Sequence, residues 1–130
     1  MGSEIELRLR PEPVAPSLAR AAIAAVASGL PTAVVADAEL LTTELVTNAV
    51  RHAELEPSQE IVVRIVAHGY VRVEIGDPGP PFEAVLRRPG SDSSGWGLFL
   101  VDAVATSWGV ESDGSGKRVW FEVGARRSGR

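Results

Sequence analysis

From Glu4 to Arg10 apolar and charged residues alternate, with Ile5, Leu7 and Leu9 set between Glu4, Glu6, Arg8 and Arg10, which predicts a strand with one buried face. Pro11, Pro13 and Pro16 stop that pattern. From about Ser17 to Ser28, Leu18, Ala22, Ile23 and Val26 recur at helical spacing, and Gly29 and Pro31 end the run. A second helical period extends from about Ala33 to Ala53, with Thr32 placed to cap it. After a loop holding Pro57, strands are predicted over Glu60–Ala67 and Tyr70–Asp77, joined by a tight hairpin at His68-Gly69. Pro80 to Ser94 has no clear period and reads as a lid or binding loop. A short apolar helix over Leu98–Ala105 follows, then strands over Ser107–Ser112 and Arg118–Val123 around an Asp113-Gly114-Ser115-Gly116 turn.

Strands linked by hairpins and grouped apart from the long helices predict an α+β fold. It is a two-layer α/β sandwich with helices on one face of a mixed, mostly antiparallel sheet. The 130 residues suit one domain, 1–130, with a lid at about 80–96 and a flexible tail at about 125–130.

Composition narrows the function. The net charge is −4 and there is no long basic tract, so direct nucleic-acid binding is not expected; Arg126 and Arg127 read as part of a solvated tail. Without cysteine, disulfides, thiolate metal sites and cysteine nucleophiles are excluded. The apolar stretch Ala21–Ala27 is far short of the roughly 20 residues of a membrane span, and Glu4 and Glu6 interrupt any secretory layout. A cytoplasmic protein without membrane attachment is expected.

The chemistry-bearing residues fall in three segments. Glu44, Asn48 and His52 lie along one line of the second helix, beside Leu41, Leu45, Ala49 and Val50. Such a line is also what any surface helix shows, with Glu44 pairing Arg51 or Arg20 and Asn48 facing solvent. Counting by two from Val71, Val73 and Ile75 puts Asp77 on the buried side of its strand, where a carboxylate must be solvated, paired or engaged by a ligand. Asp77-Pro78-Gly79-Pro80-Pro81 follows, which by itself could be a simple Pro-Gly turn. Gly95-Trp96-Gly97-Leu98 then opens the short helix.

In that order and at those separations the three segments resemble the N, G1 and G2 boxes of the histidine-kinase-type ATPases, the superfamily that includes gyrase, Hsp90 and MutL. They are most similar to its compact branch of bacterial anti-sigma-factor serine/threonine kinases. The resemblance implies that the Asn48 amide oxygen holds Mg2+ and that Glu44 is a general base near the γ-phosphate of ATP. It implies that Asp77 accepts a hydrogen bond from the adenine amino group, giving preference for ATP over GTP, and that Gly79 lets the backbone approach the base. Gly95 and Gly97 would turn backbone amides to the phosphates where Leu98 begins a helix, and Arg51 and His52 would touch phosphate or pack on the lid. His52 is equally readable as a hydrogen-bonding helix residue, and His68 carries no role.

The activity so implied is a partner switch that binds a sigma factor and phosphorylates an antagonist of the anti-sigma factor, with a homodimer formed along the Glu4–Arg10 strand. Three positions depart from the family pattern: Pro81 stands for a glycine, Trp96 for a basic or polar residue, and Lys117 near the place of a threonine. The second reading is therefore an ATP-binding partner-switch module that is catalytically weak or inactive and acts by protein binding alone. A sensor histidine kinase would need a phosphoacceptor histidine upstream, and no histidine precedes Glu44.

Overall fold

A computed structural model describes residues 2–79 and 96–125. Strand β1 (Ser3–Leu9) leads into helices α1 (Ala15–Val26) and α2 (Thr32–His52), then strands β2 (Ile61–Ala67) and β3 (Val71–Asp77); α3 (Trp96–Val104), β4 (Ser107–Asp113) and β5 (Gly116–Val123) follow. The expected lid and tail lie almost wholly outside the described residues.

The described strands form a five-stranded sheet in the order β1-β2-β3-β5-β4. Every neighbouring pair is antiparallel, so the described sheet has no parallel pair where a mixed one was expected. Period-two alternation sets its two faces. Leu9, Ile61, Val63, Ile65, Val71, Val73, Ile75, Val119, Phe121 and Val123 point inward and pack with Ala19 and Ile23 of α1 and Leu41 and Val46 of α2. Burying such side chains at roughly 1.5–3 kcal/mol each is the main term fixing helices to sheet.

The outer face carries an ion-pair lattice. Arg64 binds Glu4, Arg72 binds Glu74 and Glu122, and Arg118 binds Glu111. The Glu4 carboxylate, hydrogen-bonded to Arg64, raises the pKa of that guanidinium above its ordinary value. Arg72 also lies 4.3 Å from the ring centre of Trp120. The exposed pairs, Arg64–Glu4 and Arg118–Glu111, contribute little individually, and the half-buried Arg72 pairs complete a polar face.

Three local details refine the sequence pattern. Thr32 is the first residue of α2 and not its cap: Pro31 holds the cap position, and its carbonyl accepts from the Val34 and Val35 amides. The β2–β3 turn uses three residues, because Ala67 pairs with Val71, and Gly69 supplies the left-handed backbone at φ 74°. At the other end of α2, Ala53 is the C-cap and Glu54 takes a left-handed conformation at φ 56°, the position where helices commonly place glycine.

Candidate functional site

Helix α2 sorts its residues by face. Ala38, Leu41, Thr42, Leu45, Val46 and Ala49 are buried, while Glu44 and Asn48, one turn apart on the flank of that stripe, are half-buried. Among the described residues neither the Glu44 nor the Asn48 side chain has a hydrogen-bond or ion-pair partner. Arg20, one of the two residues that could have neutralised Glu44, reaches instead toward the Thr43 hydroxyl at 3.5 Å. Arg51 and His52 are exposed in the last turn, where positive charge suits the helix dipole.

Strand β3 delivers the second part. The Asp77 side chain is only 5% exposed, as the alternation requires, and it is paired: Lys117 Nζ lies 2.9 Å from Asp77 Oδ1, with the Lys117 side chain 13% exposed. The Gly79 amide donates to the same oxygen at 2.8 Å. Register explains the ion pair, since Asp77 lies directly opposite Lys117 across β3 and β5. Neighbouring Gly116, at φ 144°, runs so close to the Asp77 carbonyl and Pro78 that a Cβ would collide with both.

Gly79 joins the two parts. A Cβ there would stand 2.7 Å from the Ala53 carbonyl oxygen and 2.8 Å from Asp77 Oδ1, so only glycine lets the chain leaving β3 pass the end of α2 this closely. The third part is incomplete: Gly95 and Pro81 lie outside the described residues. Helix α3 starts at Trp96, so Gly97 falls within its first turn, where amides lack helical partners. Leu98 buries its side chain in the core and can offer a ligand only its backbone. Trp108 Nε1 donates to Asp102 Oδ1 at 3.0 Å, tying α3 to β4.

A separate cleft of about 650 Å3 opens across the sheet's outer face, bordered by Arg8, Arg64, Glu74 and Arg118. It reaches Asp77, Pro78, Gly116 and Lys117 but no residue of α2, so it does not join the two carboxylates. The donor set on the helix side fits a magnesium nucleotide better. Two unpartnered oxygen-bearing side chains stand one turn apart, a buried carboxylate has a second oxygen beyond the one bound by Lys117 and Gly79, and Gly79 leaves a cradle that any Cβ would fill. No three His, Cys, Asp or Glu side chains gather as a metal site among the described residues, and Mg2+ commonly takes only one or two protein oxygens with phosphates and water.

Compared with known families, residues 7–123 match the model of the histidine kinase-like ATPase domain. The chain belongs to that family. An uncharacterized protein of Streptomyces coelicolor is 34% identical over 82 residues, spanning 62% of this chain and 78% of that one. Among solved structures, the RsbU and RsbW domains of a Mycobacterium tuberculosis protein superpose at a TM-score of 0.71 and 21% identity, covering 92% of this chain and 32% of that one. A blue-light activated histidine kinase of Erythrobacter litoralis superposes at 0.55 and 21% identity, covering 82% of this chain and 39% of that one. The chain thus spans about a third of the first of these structures and two-fifths of the second, and both likenesses concern the fold. For a histidine kinase-like ATPase domain the implied ligand is ATP, and no helix among the described residues is long and apolar enough to cross a membrane.

Two features of the site escaped the sequence reading. In the sequence Lys117 reads only as a departure from the resembled pattern; the alternation that buries Asp77, carried across an antiparallel pair to β5, is the signal that points to it. The left-handed Glu54 had none, because glutamate is not a residue that announces such a backbone.

Proposed function

We propose that this protein is an ATP-dependent protein serine/threonine kinase of the anti-sigma type, which binds a sigma factor and phosphorylates an antagonist protein. The observation that carries the proposal is the pair Glu44 and Asn48 on α2, without partners among the described residues, on the helix whose C-terminal end Gly79 meets at Ala53 as the chain leaves β3. Family membership and the likeness of fold to a structure containing an RsbW domain support the same reading.

In this reading Asn48 would supply the side-chain oxygen for Mg2+ and Asp77 would accept from the adenine amino group. Magnesium nucleotide, when bound, would supply the transferable phosphoryl group, with the cation offsetting charge on the phosphate oxygens. Glu44 would orient the serine hydroxyl of the antagonist and accept its proton as the hydroxyl oxygen bonds to the γ-phosphorus and ADP departs. Phosphoryl transfer rests mainly on positioning and electrostatics, so one carboxylate and one cation suffice. The first turn of α3, together with Gly95, would meet the phosphates through backbone amides. Arg51 and His52, exposed at the end of α2, would serve phosphate or lid. β1, an edge strand with one side paired to β2, would be the surface for a homodimer.

Calorimetric titration with ATP and GTP, with and without Mg2+, tests the site on the native protein and on Asn48→Ala. Magnesium-dependent ATP binding, weakened by the substitution and absent for GTP, is expected; no nucleotide heat at several temperatures would remove the proposal. Transfer is tested by incubating the protein and Glu44→Gln with labelled ATP and antagonist proteins bearing a regulatory serine. Binding of ATP and partner without label transfer would select the alternative, a switch that works by binding alone.

A further inference from the structure

The Asp77–Lys117 pair is unusual for its place. Both side chains are nearly buried, they meet at 2.9 Å, and the carboxylate is held by a backbone amide on the same oxygen that takes the lysine. A buried pair of this kind is not favoured on stability grounds alone, because desolvation offsets much of the attraction. It is also held firmly: Asp77 and Lys117 face each other in the β3–β5 register, and Gly116 presses against the Asp77 backbone. The result is a fixed acceptor, the second oxygen of Asp77, beside a fixed cationic donor.

Adenine carries the complementary arrangement. Its amino group is a donor, and the ring nitrogen on either side of that group, N1 or N7, is an acceptor. Guanine presents carbonyl O6, an acceptor, in place of the amino donor, and on the N1 side it also presents N1–H, a donor, in place of the ring acceptor. We infer that Lys117 is a base-reading residue, whose ammonium donates to the adenine ring nitrogen adjacent to the amino group that Asp77 accepts from. Lys117 and Asp77 then form a two-point reader in which neither group works fully without the other. The inference rests on the proposed adenine-binding role of Asp77.

A lysine that only neutralised Asp77 would affect all adenine nucleotides equally, whereas a reader depends on one ring nitrogen. Native protein is therefore titrated with ATP, 1-deaza-ATP and 7-deaza-ATP. One of the two analogues should bind at least about tenfold more weakly than ATP, the range expected for a hydrogen bond to a charged donor. In Lys117→Thr, whose hydroxyl can still bond Asp77, that difference should collapse to within about twofold while ATP itself weakens. If native protein binds ATP but treats both analogues as it treats ATP, the inference falls, and this outcome needs no variant. Retention of the full analogue difference in Lys117→Thr would equally overturn it. Failure of native protein to bind ATP at all would strike the proposed function, and the inference with it.

Discussion

Gly79 passes the end of α2 with no room for a methyl group: a Cβ would stand 2.7 Å from the carbonyl oxygen of Ala53 and 3.1 Å from its Cβ. Gly79→Ala must push β3 and α2 apart or twist the Asp77 carboxylate out of its bond with the 79 amide. A loss of about 1–3 kcal/mol in stability is expected, as for other overpacked sites. Urea denaturation measures it, and ATP affinity should fall further than stability alone predicts. Unchanged affinity in the folded variant would separate the α2–β3 contact from the site.

Glu44→Gln removes the charge, and Asn48→Ala the amide, of half-buried side chains that have no partner among the described residues, so the fold should hardly respond. Stability changes within about 0.5 kcal/mol are expected, the range of substitutions away from packed or paired positions. Asn48→Ala should weaken ATP binding only when Mg2+ is present, whereas Glu44→Gln should leave binding in place and abolish transfer. A large drop in melting temperature for either variant would assign it a structural duty.

Thr42 is fully buried on the core face of α2, and among the described residues its hydroxyl has no hydrogen-bond partner. Valine matches its shape without the unsatisfied polar atom, so Thr42→Val should raise stability by about 1–3 kcal/mol, the cost of leaving a buried hydroxyl unbonded. Chemical denaturation checks the sign. A destabilised Thr42→Val would mean that the hydroxyl is satisfied in solution.

Glu54 bears a left-handed backbone that disfavours any side chain with a Cβ. Glu54→Gly should therefore stabilise the protein by about 1 kcal/mol, the cost that glycine avoids in this conformation. The melting temperature should rise, with nucleotide binding unaltered, because α2 would end at the same residue.

Much of this was legible along the chain, for reasons that differ by element. The alternation at Ile5, Leu7 and Leu9 and at Val71, Val73 and Ile75 placed two strands within a residue of their limits, because one face of each meets the helices and the other meets water. Both ends of α2 follow from its period to within a residue, whereas the cap does not, because the Pro31 carbonyl rather than the Thr32 hydroxyl serves the first amides. Sheet order was less accessible. That β5, not β4, lies beside β3 is a tertiary choice, and with it goes the meeting of Asp77 and Lys117. The phosphate side of the site, Gly95 with the expected lid, falls outside the described residues and stays as the sequence left it.

That sheet order has a consequence for the sequence of assembly. Asp77 and Lys117 lie 40 positions apart, and the strand that brings the lysine is the last of the five described. β1, β2, β3 and the two long helices can gather around their shared apolar face before β5 is made, but Asp77 then ends β3 with no lysine beside it. Closing the intervening segment onto β3 costs chain entropy that only the completed β3–β5 ladder repays. The Asp77–Lys117 pair is therefore completed at the same step that inserts Phe121 and Val123 into the core, so the proposed nucleotide site and the fold are finished together.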